Sequence, residues 1–352
     1  MGKQFIDTYY MQGGGIIGLL RPALLDVRGD FINAYAQEQC VFRFLKTNTS
    51  TTEALRLQLT AQNGQTVETY ISFERSNTQY YDITEPLRCW IARNQQNFSM
   101  ALTYTEFELK MTEYNAANVE IDTTDFTIRA YDAAEPADVK FDACLPDTFR
   151  MLSDASLSGY QPACVRAISS ACKVEVILST GTVQTDYTGV AGDLYTVGWR
   201  FLYHPTNTPA IVRAGTNPDY ETARVDWIKC SDNMAQLWWW STSCGGYKSV
   251  AVELLSSVAK LSGDAAYVKE FDNVFAASMA GGLKARIPLC TMRDVMYYRD
   301  IYMSDEVEMV WSAGNYSYSK RIKIDGEVPE VAANGTVDMN MTLRLSEVST
   351  EW

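Results

Sequence analysis

The sequence predicts a mainly-β protein of tandem antiparallel β-sandwich domains, with one or two short helices in the C-terminal half. Three observations predict it. Between Glu38 and Tyr131, short runs of alternating apolar and polar residues return at intervals of about ten, the rhythm of strands that bury one face against a second sheet. Tight-turn signals such as Asn63-Gly64 separate those runs. Between Met234 and Leu254 stands MAQLWWWSTSCGGYKSVAVEL, two apolar arms joined by a turn, which reads as a hairpin at the centre of a sheet.

Residues 1–35 read as an N-terminal arm. Gly13 to Gly18, GGGIIG, has the form G-x-G-x-x-G. A dinucleotide loop, however, follows a strand and opens a helix, and Pro22 interrupts any helix too early. Ile16, Ile17, Leu19 and Leu20 need burial and are the expected partner-binding residues, docking on a neighbouring subunit. Residues 36–135 form the first sandwich domain, with strands expected around Val41 to Leu45, Leu55 to Leu59, Val67 to Phe73, Leu87 to Ala92, Phe98 to Tyr104, Phe107 to Met111 and Phe126 to Tyr131. Residues 136–162, with Pro136, Pro146 and Pro162 among Ala, Asp and Ser, read as a linker packed in part through Phe141, Phe149 and Met151.

Residues 163–352 form a second β-rich domain. Lys173 to Leu178 is a strand ending at the turn Ser179-Thr180-Gly181, and Leu194 to Tyr203 is an aromatic strand. His204 to Tyr220, rich in Pro, Asn, Thr and Gly, is expected to be a long loop. In the hairpin, Trp238, Trp239 and Trp240 make an arm buried on both faces, and Gly245 and Gly246 supply positive-φ positions for the turn. On its second arm Lys248, Val250, Val252 and Leu254 face one way, and Tyr247, Ser249, Ala251 and Glu253 the other. Ser256 to Gly282 fits either a helix or two short strands. Thr291 to Tyr302 is a helix, because Thr291 and Asp294 have capping-box spacing and Val295, Met296, Tyr298 and Tyr302 give it an apolar side. Val337, Met339, Met341, Leu343 and Leu345 alternate with polar residues in a closing strand.

Composition narrows function. The chain has 352 residues, a net charge of −13 and no block of Lys or Arg, so direct nucleic-acid binding is not expected. No run is long enough to span a bilayer, and no export signal precedes the first domain. The 8 cysteines are scattered without a C-x-x-C pair and read as free thiols of a reducing compartment. His204, the single histidine, precedes Pro205 in a polar stretch and reads as a loop residue, since no G-x-S-x-G segment offers it a nucleophile. Asp226, Glu253, Asp305 and Glu306 are the carboxylates a glycosidase would draw on, although each reads more simply as a solvated strand or turn residue. Asp82 to Glu85 and Asp122 to Asp125 are acidic groups without ordered calcium-loop spacing. No catalytic residue, cofactor or metal site is expected.

The hairpin also carries a resemblance. A buried Trp-rich strand, a Gly-Gly turn and an alternating second strand resemble a pattern, W-L-N-x-x-G-G, of virion structural proteins of tailed phages that infect Bacteroidetes, including crAss-like phages. Here Trp239 and Trp240 stand in place of the Leu-Asn pair, and Ser241 to Cys244 fill the turn. Leu289 to Trp311 resembles that group's short helix running into a Ser-x-x-Val strand, and Ile322 to Leu345 resembles its closing strands. The resemblance implies a tail, baseplate or neck protein, assembled in the host bacterial cytoplasm. Its partners would be copies of itself and other virion proteins. The alternatives read from the residues are a carbohydrate-binding protein of the host-recognition apparatus, presenting the tryptophans to a surface glycan, and a glycan-processing enzyme.

Overall fold

The computed structural model describes residues 7–11, 31–46, 50–91, 93, 104–134, 145–167, 173–188, 195–216, 219–231, 233–255, 282–313 and 316–345. The chain is mainly β with several sheets, as the alternation predicts, and divides into two compact units. Unit 1 comprises residues 1–95 and 103–136, and unit 2 comprises 96–102 and 137–352.

In chain order, unit 1 contains β1 (Asp7–Met11), β2 (Phe31–Tyr35), β3 (Val41–Lys46), β4 (Ala54–Ala61), β5 (Thr66–Ser72), β6 (Thr78–Asp82), α1 (Thr84–Trp90), β7 (Thr105–Tyr114) and β8 (Glu120–Tyr131). One sheet runs β2-β8-β7-β4-β5 and the other β1-β3-β6. Both contribute to one apolar core, with Phe42 and Phe44 from β3, Leu55, Leu57 and Leu59 from β4, and Phe107, Leu109 and Met111 from β7. The alternation read in sequence is thus the buried face of each strand. Asn63-Gly64 turns the β4–β5 hairpin, with Gly64 at φ +85°.

Two expectations change here. Within the span expected as an arm, β1 pairs in parallel with β3, and β2 in parallel with β8. Those two segments are ladder strands of unit 1, so neither unit 1 nor the arm is purely antiparallel. Ile16, Ile17, Leu19 and Leu20 lie outside the described residues. Leu87 to Ala92 is not a strand: Leu87 is buried inside helix α1. Pro86 sits in the first turn, where a missing N–H costs nothing, and Asp82 Oδ1 accepts from Thr84 N at 2.9 Å, so Thr-Glu-Pro starts a helix. Of Phe98 to Tyr104, only Tyr104 is described.

Unit 2 contains β9 (Thr148–Leu152), a 3-10 turn (Ala155–Tyr160), β10 (Pro162–Ala167), β11 (Lys173–Leu178), β12 (Val183–Thr188), β13 (Tyr195–Arg200), β14 (Pro209–Thr216), β15 (Asp219–Ile228), β16 (Met234–Ser241), β17 (Gly246–Leu254), β18 (Leu283–Cys290), α2 (Met292–Tyr298), a second 3-10 turn (Arg299–Tyr302), β19 (Val307–Ala313), β20 (Tyr316–Asp325) and β21 (Val337–Leu345). A five-stranded sheet runs β12-β11-β14-β15-β9, β10 pairs with β13, and six strands close a barrel in the order β16-β17-β18-β21-β20-β19. Closure leaves this barrel without a free strand edge.

The expected linker at 136–162 is packed structure from residue 145 onward. β9 joins the sheet parallel to β15, and Leu145, Phe149 and Met151 are fully buried. Pro146 precedes β9 and Pro162 is the first residue of β10, positions where a missing N–H is harmless, so these prolines do not mark a linker. The long loop expected from His204 to Tyr220 is likewise replaced by β14 and the start of β15. Its buried positions are small, Val212 and Ala214, and Pro209 opens the strand, so the alternation is weak in sequence. Ser256 to Gly281 lies outside the described residues. The closing strand is as read, with Met339, Met341 and Leu343 buried.

Candidate functional site

The Trp hairpin is formed by β16 and β17, paired from Met234 opposite Glu253 to Ser241 opposite Gly246. Every residue of β16 is buried. Alternation sends Leu237 and Trp239 into one apolar cluster with Val250, Val252, Met339 and Leu343, and Trp238 and Trp240 into a second with Tyr247, Ala251 and Leu157. Trp238, Trp239 and Trp240 are 9%, 0% and 5% exposed, so they cannot form a glycan platform. Strands buried on both faces need apolar residues at both parities, and a Trp run supplies them. Of the two turn glycines, Gly245 has φ +70°, whereas Gly246 is the first residue of β17 and needs no positive φ.

Where the hairpin meets the turn after α2 lies a buried polar cluster. Lys248 and Asp300 are 2% and 5% exposed, and Lys248 Nζ stands 3.3 Å from Asp300 Oδ2. Trp239 Nε1 donates to Asp300 Oδ1 at 3.0 Å. Ser243 Oγ donates to Oδ2 at 2.7 Å, and Ser241 Oγ donates to the same oxygen. Lys248 Nζ also donates to the Tyr297 carbonyl at 2.9 Å and lies 4.1 Å from the centre of the Tyr297 ring. Burial pushes the Asp300 carboxyl up, but the Lys248 ammonium, the two serine hydroxyls and the Trp239 indole outweigh it, and the net direction is down. Beside it, burial and then the Cys244 side chain hold the Cys164 thiol well above its ordinary range. A charge pair in so dry a place depends on every one of these partners.

α2 is held equally firmly. Thr291 Oγ1 accepts from Asp294 N and Asp294 Oδ2 accepts from Thr291 N, the capping box expected from sequence. Asp294 Oδ1 also accepts from Asp147 N and Thr148 N, tying the helix to β9. Tyr298 Oη donates to the Thr148 carbonyl at 2.9 Å. While Val295, Tyr297, Tyr298 and Ile301 are buried, Met292 and Met296, four residues apart on one face, are exposed. Leu289 and Met303 flank them, 65% and 76% exposed. Leu289 holds φ +51°, a left-handed conformation unusual for a side chain with a Cβ.

The remaining sequence candidates do not converge. Glu253 pairs with Arg286 at 2.7 Å, whereas Glu306 accepts from Tyr247 Oη at 3.0 Å. Glu253 and Tyr247 are six residues apart on one strand, about 20 Å, far beyond the spacing of a glycosidase carboxylate pair. Asp226 lies in β15, and the Asp305 carbonyl accepts from Arg321. His204 is exposed and bonds its own turn through Thr206. Among the described residues no three His, Cys, Asp or Glu side chains group as metal ligands, and Asp82 and Asp122 instead bond nearby backbone N–H groups. Cys40, Cys89, Cys164 and Cys290 are not in disulfides, while Cys144 and Cys172 lie outside the described residues.

Sequence reasoning found the hairpin and the capped helix but missed the Lys248–Asp300 pair. The signal was present: Lys248 interrupts an otherwise apolar face formed with Val250, Val252 and Leu254. Compared with known proteins, the chain matches no family model and no curated protein sequence.

Proposed function

We propose that this chain is a structural component of a tailed-phage virion, working in the tail, baseplate or neck through contacts with its own copies and neighbouring virion proteins. The observation that carries the reading is the exposed Met292 and Met296 on a helix otherwise locked in place, with exposed Leu289 and Met303 flanking it. Flexible, polarizable Met side chains on a fixed scaffold suit a protein partner, and exposed apolar groups of this kind gain from burial. The occupant is a second copy of the chain. Arg299 lies exposed beside the stripe, and another copy, at a net charge of −13, offers acidic surface to meet it. The three segments that carry the resemblance, the hairpin, α2 with β19, and β20 with β21, belong to the same barrel unit.

Light scattering across a concentration series at neutral pH tests this. The wild-type chain is expected to form discrete oligomers, and Met292→Asp combined with Met296→Asp to shift them to monomer with an unchanged circular dichroism spectrum. A wild-type chain that stays monomeric at every concentration overturns self-assembly through this helix.

A second reading, a glycan-binding protein of the host-recognition apparatus, is favoured by a different surface. Tyr70 on β5 is exposed beside the Arg56–Glu68 pair, which is 2.6 Å across, giving a ring and a polar pair on one sheet face. Binding on a glycan array that Tyr70→Ala abolishes would move the assignment to that reading.

A further inference from the structure

The geometry points to an intramolecular amide bond formed between the side-chain nitrogen of Lys248 and the side-chain carboxyl carbon of Asp300. This inference is independent of the assembly reading. The nucleophile and the carboxyl group are already in contact, with Nζ 3.3 Å from Oδ2, and both side chains are buried. Such preorganisation replaces a bimolecular encounter with a unimolecular step.

The two carboxyl oxygens are held differently, and the difference matches the two fates that condensation requires. Oδ1 accepts from the Trp239 indole N–H at 3.0 Å, a donor that suits an oxygen destined to remain as an amide carbonyl. Oδ2 accepts from Ser243 and Ser241 and faces the ammonium, so donors converge on the oxygen that must leave. In the first step, Lys248 passes one proton to Oδ2, giving a neutral amine and a neutral carboxyl group. The amine lone pair then attacks Cγ, the C–N bond forms, and negative charge develops on Oδ1 against the indole N–H. A second proton moves from nitrogen to Oδ2, the Cγ–Oδ2 bond breaks, and Oδ2 departs as water while the carbonyl re-forms. One ammonium and one carboxylate thus become one amide and one water, with no oxidant or co-reactant.

Burial favours the product. In bulk water both ions are well solvated, but here each is held at a desolvation cost that the neutral amide does not carry. The product keeps its partners as well: the amide oxygen retains Trp239, and the remaining N–H points to the Tyr297 carbonyl, 2.9 Å from Nζ. Ser243 and Cys244 are only half-buried, so the released water has a short way out. The bond would lock the turn that follows α2 to strand β17, across 52 residues of sequence.

Mass spectrometry of the intact, denatured full chain tests this. The wild-type protein is expected to weigh one water less than its sequence. Tryptic digestion should release a branched peptide joining the Lys248 and Asp300 segments, and Lys248→Arg and Asp300→Ala should restore the full mass. A wild-type chain at full sequence mass after prolonged incubation at neutral pH overturns the proposal, and so does a water loss that maps to other residues. The wild-type measurement decides the matter even if neither variant folds.

Discussion

At the scale of single residues, Lys248 supplies the cation to a buried carboxylate of unit 2. Replacing it with Met leaves Asp300 as a buried carboxylate without its cation, and the loss of stability should be about 3–5 kcal/mol, read from the urea midpoint. Adding Asp300→Asn to Lys248→Met removes the stranded charge while keeping an acceptor for Trp239, so the double variant should recover part of the loss. Glu308 behaves oppositely. Burial, and then the neighbouring Glu306, raise its pKa in the folded chain. A carboxyl whose folded pKa lies above its unfolded value destabilises the fold at neutral pH, and that cost disappears as pH falls through the raised pKa. Glu308→Gln should therefore stabilise by about 0.5 kcal/mol at neutral pH, after allowing for solvent screening, and the gain should vanish below about pH 4. Thermal melts of both proteins over that range check it. Neither role is legible from residue type alone, because each depends on which charges long-range pairing brings together.

At the scale of elements, the sequence disclosed what local chemistry decides. The Thr291 and Asp294 spacing fixes where α2 begins, and the structure uses both halves of that capping box. Thr291→Ala should cost about 1 kcal/mol. Asp294→Ala should cost more, because it also strands the backbone N–H groups of Asp147 and Thr148, and chemical denaturation of the two variants gives the order directly. Met339, Met341 and Leu343 were readable as a strand for the same reason, since alternation is a local pattern. β9 and β14 were not. β9 is a short strand beside prolines whose ladder partner β15 is distant in sequence and whose Phe149 is buried against Trp199, Phe201 and Tyr297, and β14 buries small side chains that leave little hydrophobic signal. The two faces of β16 were legible because three tryptophans in succession cannot all point to one side. That they enclose a charge pair was not, because Asp300 is contributed from 52 residues beyond Lys248.

At the scale of the whole molecule, the chain carries separate cores in its two units. Leu57 belongs to the core of unit 1, with Phe42, Leu109 and Ile128, whereas Met341 belongs to that of unit 2, with Trp239, Val250 and Leu283. Each core is built from residues of its own unit. Separate cores predict separable unfolding, and calorimetry of the full chain should resolve two transitions. Leu57→Ala and Met341→Ala each remove a buried side chain and should each cost about 2–5 kcal/mol. The informative result is which transition moves: each variant should lower one and leave the other in place. A single transition that both variants lower together would mean that the units fold as one cooperative body, and a destabilised unit 1 would then reach the exposed face of α2 and weaken self-assembly. With independent transitions, Leu57→Ala should unfold unit 1 early while light scattering still finds the oligomers proposed to form through Met292 and Met296.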